Sequence, residues 1–290
     1  MVRSGQTCGV TENLELNGEP LELSDEGLLR ATTYGHFTSM QVRDGRVRGL
    51  GLHLERLDRS ARELFGRGIS ADRIRSYLRT ALDRADSGDL SIRVTAFSRE
   101  RAKVGKGIPV EPDLLVTVTD PIPPTPGPPR LLAFEHERPV PHLKHTGTFS
   151  LVYYGRQAQL AGYDDAIFFD RSGNISEASI WNICFAVGDH INWPEAAVLP
   201  GITMLTLQTG LASTGVHTET LPVPLADLAT YTAAYLTNSI DPALPVASIT
   251  TPTGTTTYAP DPTSLNLITK AYEAVPPEPL RVEPLRIEPL

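Results

Sequence analysis

A proline-rich stretch, PIPPTPGPPR at residues 121–130, divides this chain of 290 residues. Proline has no backbone N–H and its ring excludes a helix interior, so the stretch predicts a stiff connector. The expected organisation is a small N-terminal domain at 1–120, this interdomain linker at 121–130, a larger domain at 131–275 and a proline-rich tail at 276–290. The length is sufficient for one large domain or two medium ones.

The N-terminal part combines turn signals with helical periodicity. Asn17-Gly18 and Asp44-Gly45 are two-residue sequences typical of β-hairpin turns. The segments HLERLDRSARELF and ADRIRSYLRTALDRA predict two helices, and LSIRVTAFS and DLLVTVTD predict strands of a small mixed sheet. The first helix carries four apolar residues on one stripe: Leu54, Leu57, Ala61 and Leu64.

The stretch from Leu143 to Phe185 places a lysine and a glutamate at its two ends. A proline-rich approach followed by Lys144 predicts an extended segment entering a helix that ends near Gly162. AIFFD then predicts a buried strand, RSGN a turn with glycine at positive φ, and ISEASIWNICF a second strand region around Glu177. Five residues form the expected apolar stripe of the helix: Phe149, Val152, Tyr153, Ala158 and Leu160.

Neither charged residue is diagnostic alone. Lysine is usually exposed, so Lys144 could be a solvated charge at a helix start. Glu177 could be an exposed strand residue, or a buried carboxylate that needs a partner, because its neighbours are apolar.

The order of motifs is more specific than either residue. Lys144 with its following glycine, GYDDAIFFD, GNISEA, WNI and LPGIT resemble, in this order, the class IV aminotransferase family, the fold-type IV enzymes that depend on pyridoxal 5'-phosphate (PLP). The resemblance covers roughly residues 20 to 250. It implies an α+β fold, with a small N-terminal α/β domain and a larger C-terminal β-barrel-like domain with flanking helices, and a cofactor at the domain junction.

The resemblance also implies roles for individual residues. Lys144 matches the lysine that holds PLP through a Schiff base, and Glu177 the carboxylate that pairs with the pyridine nitrogen. Arg56, Ile202 and Thr203 match the groups that bind the cofactor phosphate, through a guanidinium and a helix N-terminus. Two further cofactor-binding candidates lie in the sequence LTNSI: Asn238 and Ser239.

The substrate pocket is expected on the strand YGHFTSM. Alternation along a strand places Tyr34, His36, Thr38 and Met40 on one face, and Thr38 is the candidate acid that assists proton transfer. His36 could instead be a structural histidine. Phe149 stands where branched-chain aminotransferases carry a tyrosine, which counts against that specificity. The loop SRERAKVGKG, with Arg99 and Arg101, could admit an anionic substrate or could simply be solvated.

Three functions remain open at this stage. The first is a PLP-dependent transaminase acting on an amino acid or primary amine and a keto acid. The second is a lyase that converts 4-amino-4-deoxychorismate to 4-aminobenzoate and pyruvate, which Thr38 and Asn238-Ser239 favour. The third is a non-catalytic scaffold of the same fold, which the presence of every cofactor anchor disfavours.

Composition limits the partners and the compartment. The chain is 40% hydrophobic and 21% charged with a formal net charge of −8, which disfavours nucleic acid and anionic membranes as partners. Its two cysteines, Cys8 and Cys184, predict no disulfide framework and no zinc or other metal site, and fit the cytoplasm. The family is usually dimeric, so a homodimer is expected. The repeated EPLR of the tail predicts an extended end or a docking peptide.

Overall fold

The computed structural model describes residues 13–20, 33–85 and 88–281. Within them the chain divides into two compact units. The first comprises residues 1–47, 54–122 and 279–290, and the second comprises residues 48–53 and 123–278, both as far as they are described. Most of the proline-rich tail lies outside the described residues.

The first unit is built on one antiparallel sheet. Its strands in chain order are β1 Asn13–Leu16, β2 Glu19–Pro20, β3 Gly35–Val42, β5 Leu90–Phe97 and β6 Asp113–Thr119. Their spatial order is β2-β1-β6-β5-β3. The predicted turn at Asn17-Gly18 is confirmed, since φ is 54° and 86° at these residues and both lie in the left-handed region that such turns need.

The second predicted hairpin is only partly correct. Asp44 and Gly45 have φ of 49° and 68°, so the turn forms. However, β3 pairs with β5, and β4 at Arg46–Arg48 meets the preceding segment only through an isolated Arg43–Arg46 bridge. The turn could therefore be predicted from its own two residues, whereas the strand with which β3 pairs could not.

In the described part of this unit, three helices accompany the sheet: α1 Leu50–Phe65, α2 Ala71–Asp83 and the short α3 Arg101–Val104. The stripe predicted for α1 is largely correct, because Leu54, Leu57 and Ala61 are buried and Leu64 is half-buried. In α2 the buried residues recur at helical spacing, and β6 alternates between half-buried and buried positions. One face of the sheet and one face of each long helix thus supply the core of the unit.

The second unit contains two five-stranded sheets. One has the order β16-β15-β7-β8-β9, and the other has the order β12-β11-β10-β13-β14. Their bounds are β7 Arg130–Glu135, β8 Asp165–Phe169, β9 Ile175–Ala178, β10 Asn182–Val187, β11 His190–Pro194, β12 Thr218–Leu221, β13 Ala233–Thr237, β14 Leu244–Pro245, β15 Ser248–Thr251 and β16 Gly254–Thr257. The last strand, β17, is Pro277–Pro279.

Residues of both sheets share one hydrophobic core. Ile167 and Ala178 of the first sheet lie in the same buried cluster as Ile183, Phe185 and Leu236 of the second. On the other face of the second sheet, two helices cover a further core: α5 Ile202–Ser213 and α6 Pro262–Ala274. A short 3-10 helix spans Leu225–Thr230. The prediction of an α+β protein with a larger sheet domain and flanking helices is confirmed.

Helix α4, Phe149–Leu160, corrects two expectations. It begins five residues after Lys144, so the prediction that the lysine opens the helix is wrong. The predicted stripe is wrong at four of its five residues: Ala158 is buried and packs with Leu151 on β8, whereas Phe149, Val152, Tyr153 and Leu160 are 48–81% exposed. The helix is apolar on more than one side, so periodicity alone could not identify the face that packs.

The strand region around Glu177 is two strands rather than one. β9 ends at Ala178 and β10 begins at Asn182, with the Ala178 N–H donating to the Trp181 carbonyl across the break. Ser179 and the Trp181 ring both donate to the half-buried Asp165 carboxylate, at 2.7 and 3.2 Å. The chain therefore passes from one sheet to the other directly after Glu177.

Candidate active site

Lys144 lies in the irregular segment between β7 and α4. The segment turns tightly ahead of it: the Leu143 N–H donates to the Val140 carbonyl at 3.0 Å, and a His145 ring nitrogen lies 3.2 Å from the Pro139 carbonyl. Val140 has φ of 48°, a conformation that β-branched residues rarely adopt. Leu143 is buried, which anchors the turn, and Lys144 itself is half-buried.

Glu177 is a buried carboxylate on β9, 5% exposed. Its Oε1 accepts a hydrogen bond from Arg138 Nη1 at 3.3 Å, and its Oε2 accepts one from the Leu199 N–H at 3.2 Å. Burial raises the pKa of Glu177, and the Arg138 charge, the Leu199 amide and the Lys144 charge oppose that rise. The Lys144 charge is thus one of the influences on the pKa of this carboxylate, and the pairing of the two residues around a cofactor stays a prediction.

The start of helix α5 follows directly from Leu199. Gly201 is its N-cap residue and supplies no side-chain cap, while Ile202 and Thr203 are both 7% exposed. The Leu199 carbonyl accepts a hydrogen bond from Asn182 Nδ2 at 2.8 Å. A Cβ on residue 201 would lie 2.1 Å from Asn182 Oδ1, so a larger residue there would have to displace the Asn182 side chain. Uncapped N–H groups at a helix start favour an anion.

The loop after β13 carries the other two predicted cofactor residues. Asn238 Oδ1 accepts hydrogen bonds from the N–H groups of Ile240 and Asp241 at 2.8 and 3.0 Å, so this oxygen shapes its own turn. Asp241 in turn accepts from Thr125 at 2.7 Å. Ser239 is half-buried at the tip.

Thr237, beside that loop, was not predicted. It is 2% exposed, and its hydroxyl has no hydrogen-bond partner among the described residues. Thr237 pairs in register with Asn182, whose side chain contacts the residues ahead of α5. A buried hydroxyl without a partner is uncommon and needs an explanation such as a ligand.

In the first unit the structure brings Thr38, His36 and Arg56 together. Arg56 is 4% exposed and its Nη2 donates to the Thr38 hydroxyl. His36 is 1% exposed, and neither of its ring nitrogens has a partner among the described residues. Burial, followed by the nearby Arg56 charge, lowers the pKa of His36 to about 3, so the ring is neutral.

Two expectations for this strand need adjustment. Tyr34 precedes β3, which begins at Gly35, and it is 40% exposed with its ring edge-on to Phe65. The strand face that is buried therefore starts at His36 and continues with Thr38 and Met40. Phe149, the third pocket candidate, is 81% exposed at the first position of α4.

The basic loop after β5 is more structured than expected. Arg99 makes two hydrogen bonds to the Asp113 carboxylate, at 2.9 and 3.0 Å, so its charge is already neutralised. Arg101 begins α3 and donates to Thr33. Arg93, on β5, instead places its guanidinium 3.6 Å from the Phe37 ring centroid.

Sequence reasoning missed Arg138 altogether. It lies in ERPVPH, which was interpreted only as an approach to Lys144, and its partner Glu177 is 39 residues away. The only local signal was a carboxylate with apolar neighbours that needed a partner. Among the described residues there is no cluster suited to a metal ion, and no helix there has the length and apolar character to cross a membrane.

Comparison with known proteins identifies the class of protein to which the chain belongs. A family model for amino-transferase class IV matches residues 35–249. This range exceeds half of the chain, and the chain therefore belongs to the class IV aminotransferase family. No curated protein matches the chain.

Solved structures agree on the fold. A branched-chain aminotransferase from the archaeon Thermoproteus uzoniensis has a TM-score of 0.78 at 18% identity, covering 94% of this chain and 100% of that one. A hypothetical aminotransferase from Mycobacterium tuberculosis with PLP bound has 0.72 at 18%, covering 91% and 99%. A Legionella pneumophila protein named as a 4-amino-4-deoxychorismate lyase has 0.73 at 21%, covering 88% and 96%. At these identities the similarity shows the fold alone.

Proposed function

We propose that the protein is a PLP-dependent transaminase that moves an amino group between an amino acid or primary amine and a keto acid. The observation that carries the proposal is the buried Glu177 carboxylate, whose pKa the Lys144 charge influences. Family membership supports the proposal, and the resemblance of the sequence motifs implies the cofactor roles of this amine and this carboxylate.

The residues present fit PLP. The second unit offers an amine at Lys144, a buried carboxylate at Glu177 and an uncapped helix start at Ile202 and Thr203. These groups match the aldehyde, the ring nitrogen and the phosphate of the cofactor. We propose that Ser239 and Asn238 Nδ2 also donate hydrogen bonds to the phosphate.

The chemistry then follows from the side chains. Bound PLP supplies an electron sink that weakens the bond from the substrate Cα to its proton. Lys144 Nζ would hold the cofactor and, once displaced by the substrate amine, would serve as the base that takes up the Cα proton and gives it back. The Glu177 carboxylate would pair with the ring nitrogen and favour its protonated form.

The attachment is tested by loading the protein with PLP, reducing it with borohydride and mapping the modified lysine by mass spectrometry. Label at Lys144, and none after Lys144→Ala, is the expected result. Lys270→Ala, an exposed lysine on α6, is the matched control and should load normally. Normal loading and activity of Lys144→Ala protein would contradict the proposal and would favour the scaffold alternative.

A lyase acting on 4-amino-4-deoxychorismate is the second candidate. The favouring observation is Thr38, a buried hydroxyl held by Arg56 on the strand where the candidate acid was expected. The two reactions are separated by incubating the loaded protein with 4-amino-4-deoxychorismate and, in parallel, with amino donors and two keto acids. Release of 4-aminobenzoate identifies the lyase, and keto acid-dependent formation of a new amino acid identifies the transaminase.

We also propose that the protein forms a homodimer and works in the cytoplasm, as its family likeness and its cysteine content suggest. The exposed apolar face of α4, formed by Phe149, Val152, Tyr153 and Leu160, supports self-association, because such a patch is unfavourable in water. The rings of Phe149 and Tyr153 stack with centroids 6.0 Å apart, which makes the patch continuous. Light scattering of wild-type protein and of Val152→Glu protein tests this.

A further inference from the structure

Residues 279–281, at the start of the proline-rich tail, are bound to the first unit. The Leu280 N–H donates to the Gly45 carbonyl at 3.1 Å, and the Leu280 side chain is 1% exposed. Arg281 donates to the Asp83 carboxylate at the end of α2. The buried position of Leu280, the Gly45 carbonyl and the Asp83 carboxylate together form what is called here the Leu280 site. The proposed cofactor chemistry uses none of these groups.

Each group of the Leu280 site selects a different part of the segment. Gly45 belongs to the left-handed turn, with φ of 68°, and its N–H donates to the Gly88 carbonyl at 3.2 Å, so the turn holds the Gly45 carbonyl in place. The buried position accepts an apolar side chain, which supplies most of the binding. Asp83 and Arg281 are both 62% exposed, so their ion pair adds little strength. However, a carboxylate at the last position of a helix is unfavourable beside the helix dipole, which favours a cationic partner there.

The sequence carries the bound segment a second time. Proline, leucine and arginine at 279–281 recur in the same order at 284–286, and a glutamate precedes each copy. The second copy lies outside the described residues. Helix α6 ends at Ala274, so residues 275–279 connect it to Leu280, whereas residues 275–284 would connect it to Leu285. Doubling the length of a flexible connection disfavours its closure by only about threefold. Because the side chains are identical, the site discriminates poorly between the two copies.

We propose that the Leu280 site is a recognition site for a proline-leucine-arginine segment, and that residues 284–286 of the same chain are its second ligand, which replaces residues 279–281 when the tail shifts by five residues. In the shifted register Leu285 fills the buried position and Arg286 pairs with Asp83. Register is set by which side chains must be buried, so a repeat that offers the same side chains twice specifies two registers. This inference is independent of the proposed function.

The test is cysteine crosslinking in the full chain, with Cys8→Ser as background and Asp83→Cys as the fixed position. A short bis-maleimide is used because an arginine–aspartate pair spans more than a disulfide does. Arg281→Cys should crosslink fastest, and Arg286→Cys should crosslink at roughly one third of that rate. Ile287→Cys is the matched control: it has nearly the same reach along the chain, but alternation in an extended segment turns it away from Asp83 in the shifted register. It should crosslink far more slowly than Arg286→Cys.

Two leucine substitutions then separate a shifted register from a loosely moving tail. Leu285→Ser should reduce crosslinking of Arg286→Cys to the level of Ile287→Cys and leave that of Arg281→Cys unchanged. Leu280→Ser should raise crosslinking of Arg286→Cys by about fourfold, because the competing ligand is lost. Circular dichroism checks folding, and the Leu285→Ser comparison decides alone if Leu280→Ser protein is unfolded. Equal rates at positions 286 and 287, no response to Leu285→Ser, or crosslinks that join two chains on a denaturing gel would each overturn the proposal.

Discussion

Gly201→Ala is the substitution with the most direct structural consequence. The backbone at 201 has φ of −64° and ψ of 143°, which alanine adopts without strain, so any cost must come from contact. The new Cβ would lie 2.1 Å from Asn182 Oδ1, and Asn182 is 7% exposed with little room to move. Displacing it breaks the 2.8 Å hydrogen bond to the Leu199 carbonyl.

The magnitude follows from two contributions. Leaving a buried carbonyl without its donor costs roughly 1–3 kcal/mol, and forcing a methyl group into packed surroundings costs roughly 1–3 kcal/mol. A loss of about 3 kcal/mol in the free energy of unfolding is a large fraction of the ~5–15 kcal/mol of a typical protein. In urea it corresponds to a midpoint lower by about 1 M or more.

Urea denaturation followed by tryptophan fluorescence suits this prediction, because Trp181 and Trp193 are both buried in the second unit. Gly105→Ala, followed by circular dichroism, is the control: its φ is −62° and its new Cβ would lie 3.4 Å from the Arg101 carbonyl, so little change is expected. The deciding measurement is Gly201→Ala in an Asn182→Ala background. The alanine should cost under ~1 kcal/mol there; an equal cost in both backgrounds would refute the contact argument.

Three further predictions address groups whose environment is unusual. His36→Phe should make the first unit less sensitive to acid. Burial lowers the pKa of His36 from 6.5 to about 3, so the wild type loses stability as pH falls through that window, by roughly 5 kcal/mol at most. Unfolding at pH 4 and pH 7 measures the difference between the two proteins. Glu177→Gln should remove a loss of stability that the wild type shows as pH rises above 4.5, because burial raises the pKa of Glu177 in the folded protein. Equal slopes of stability against pH in the wild type and the variant would contradict this. Thr237→Val should leave the cofactor-free protein as stable or more stable, yet weaken binding of PLP or inorganic phosphate by about tenfold, measured by calorimetry, if the hydroxyl meets an anion; undiminished affinity would exclude that role.

Features set by neighbouring residues were predictable from the sequence. The turns at Asn17-Gly18 and Gly173, the latter with φ of 81°, follow from the need for left-handed backbone, which only a few residue types tolerate. The stripe of α1 was readable because its polar and apolar residues separate cleanly. Family motifs then identified Lys144 and Glu177 as candidates, and the Lys144 charge is one of the influences on the pKa of Glu177.

Features set by distant residues were not predictable. The sequence ERPVPH gives no indication that Arg138 meets a carboxylate 39 positions later, because that contact depends on how β9 lies against the segment before α4. The prediction of the buried face of helix α4 failed for a related reason. Its apolar residues occur on several sides, so the face that packs on β8 is chosen by Leu151 and Ala158 fitting that strand, while larger side chains stay outside.

The backbone of Leu199 is held on both sides. Its N–H donates to Glu177 and its carbonyl accepts from Asn182, and α5 starts three residues later. The distance between the carboxylate and the helix start is therefore fixed by this short stretch of chain within the second unit. A fixed distance selects aldehydes by the separation of their ring nitrogen from their phosphate. Aldehydes that lack a phosphate, or that carry it on a longer arm, should therefore be excluded even when their rings fit.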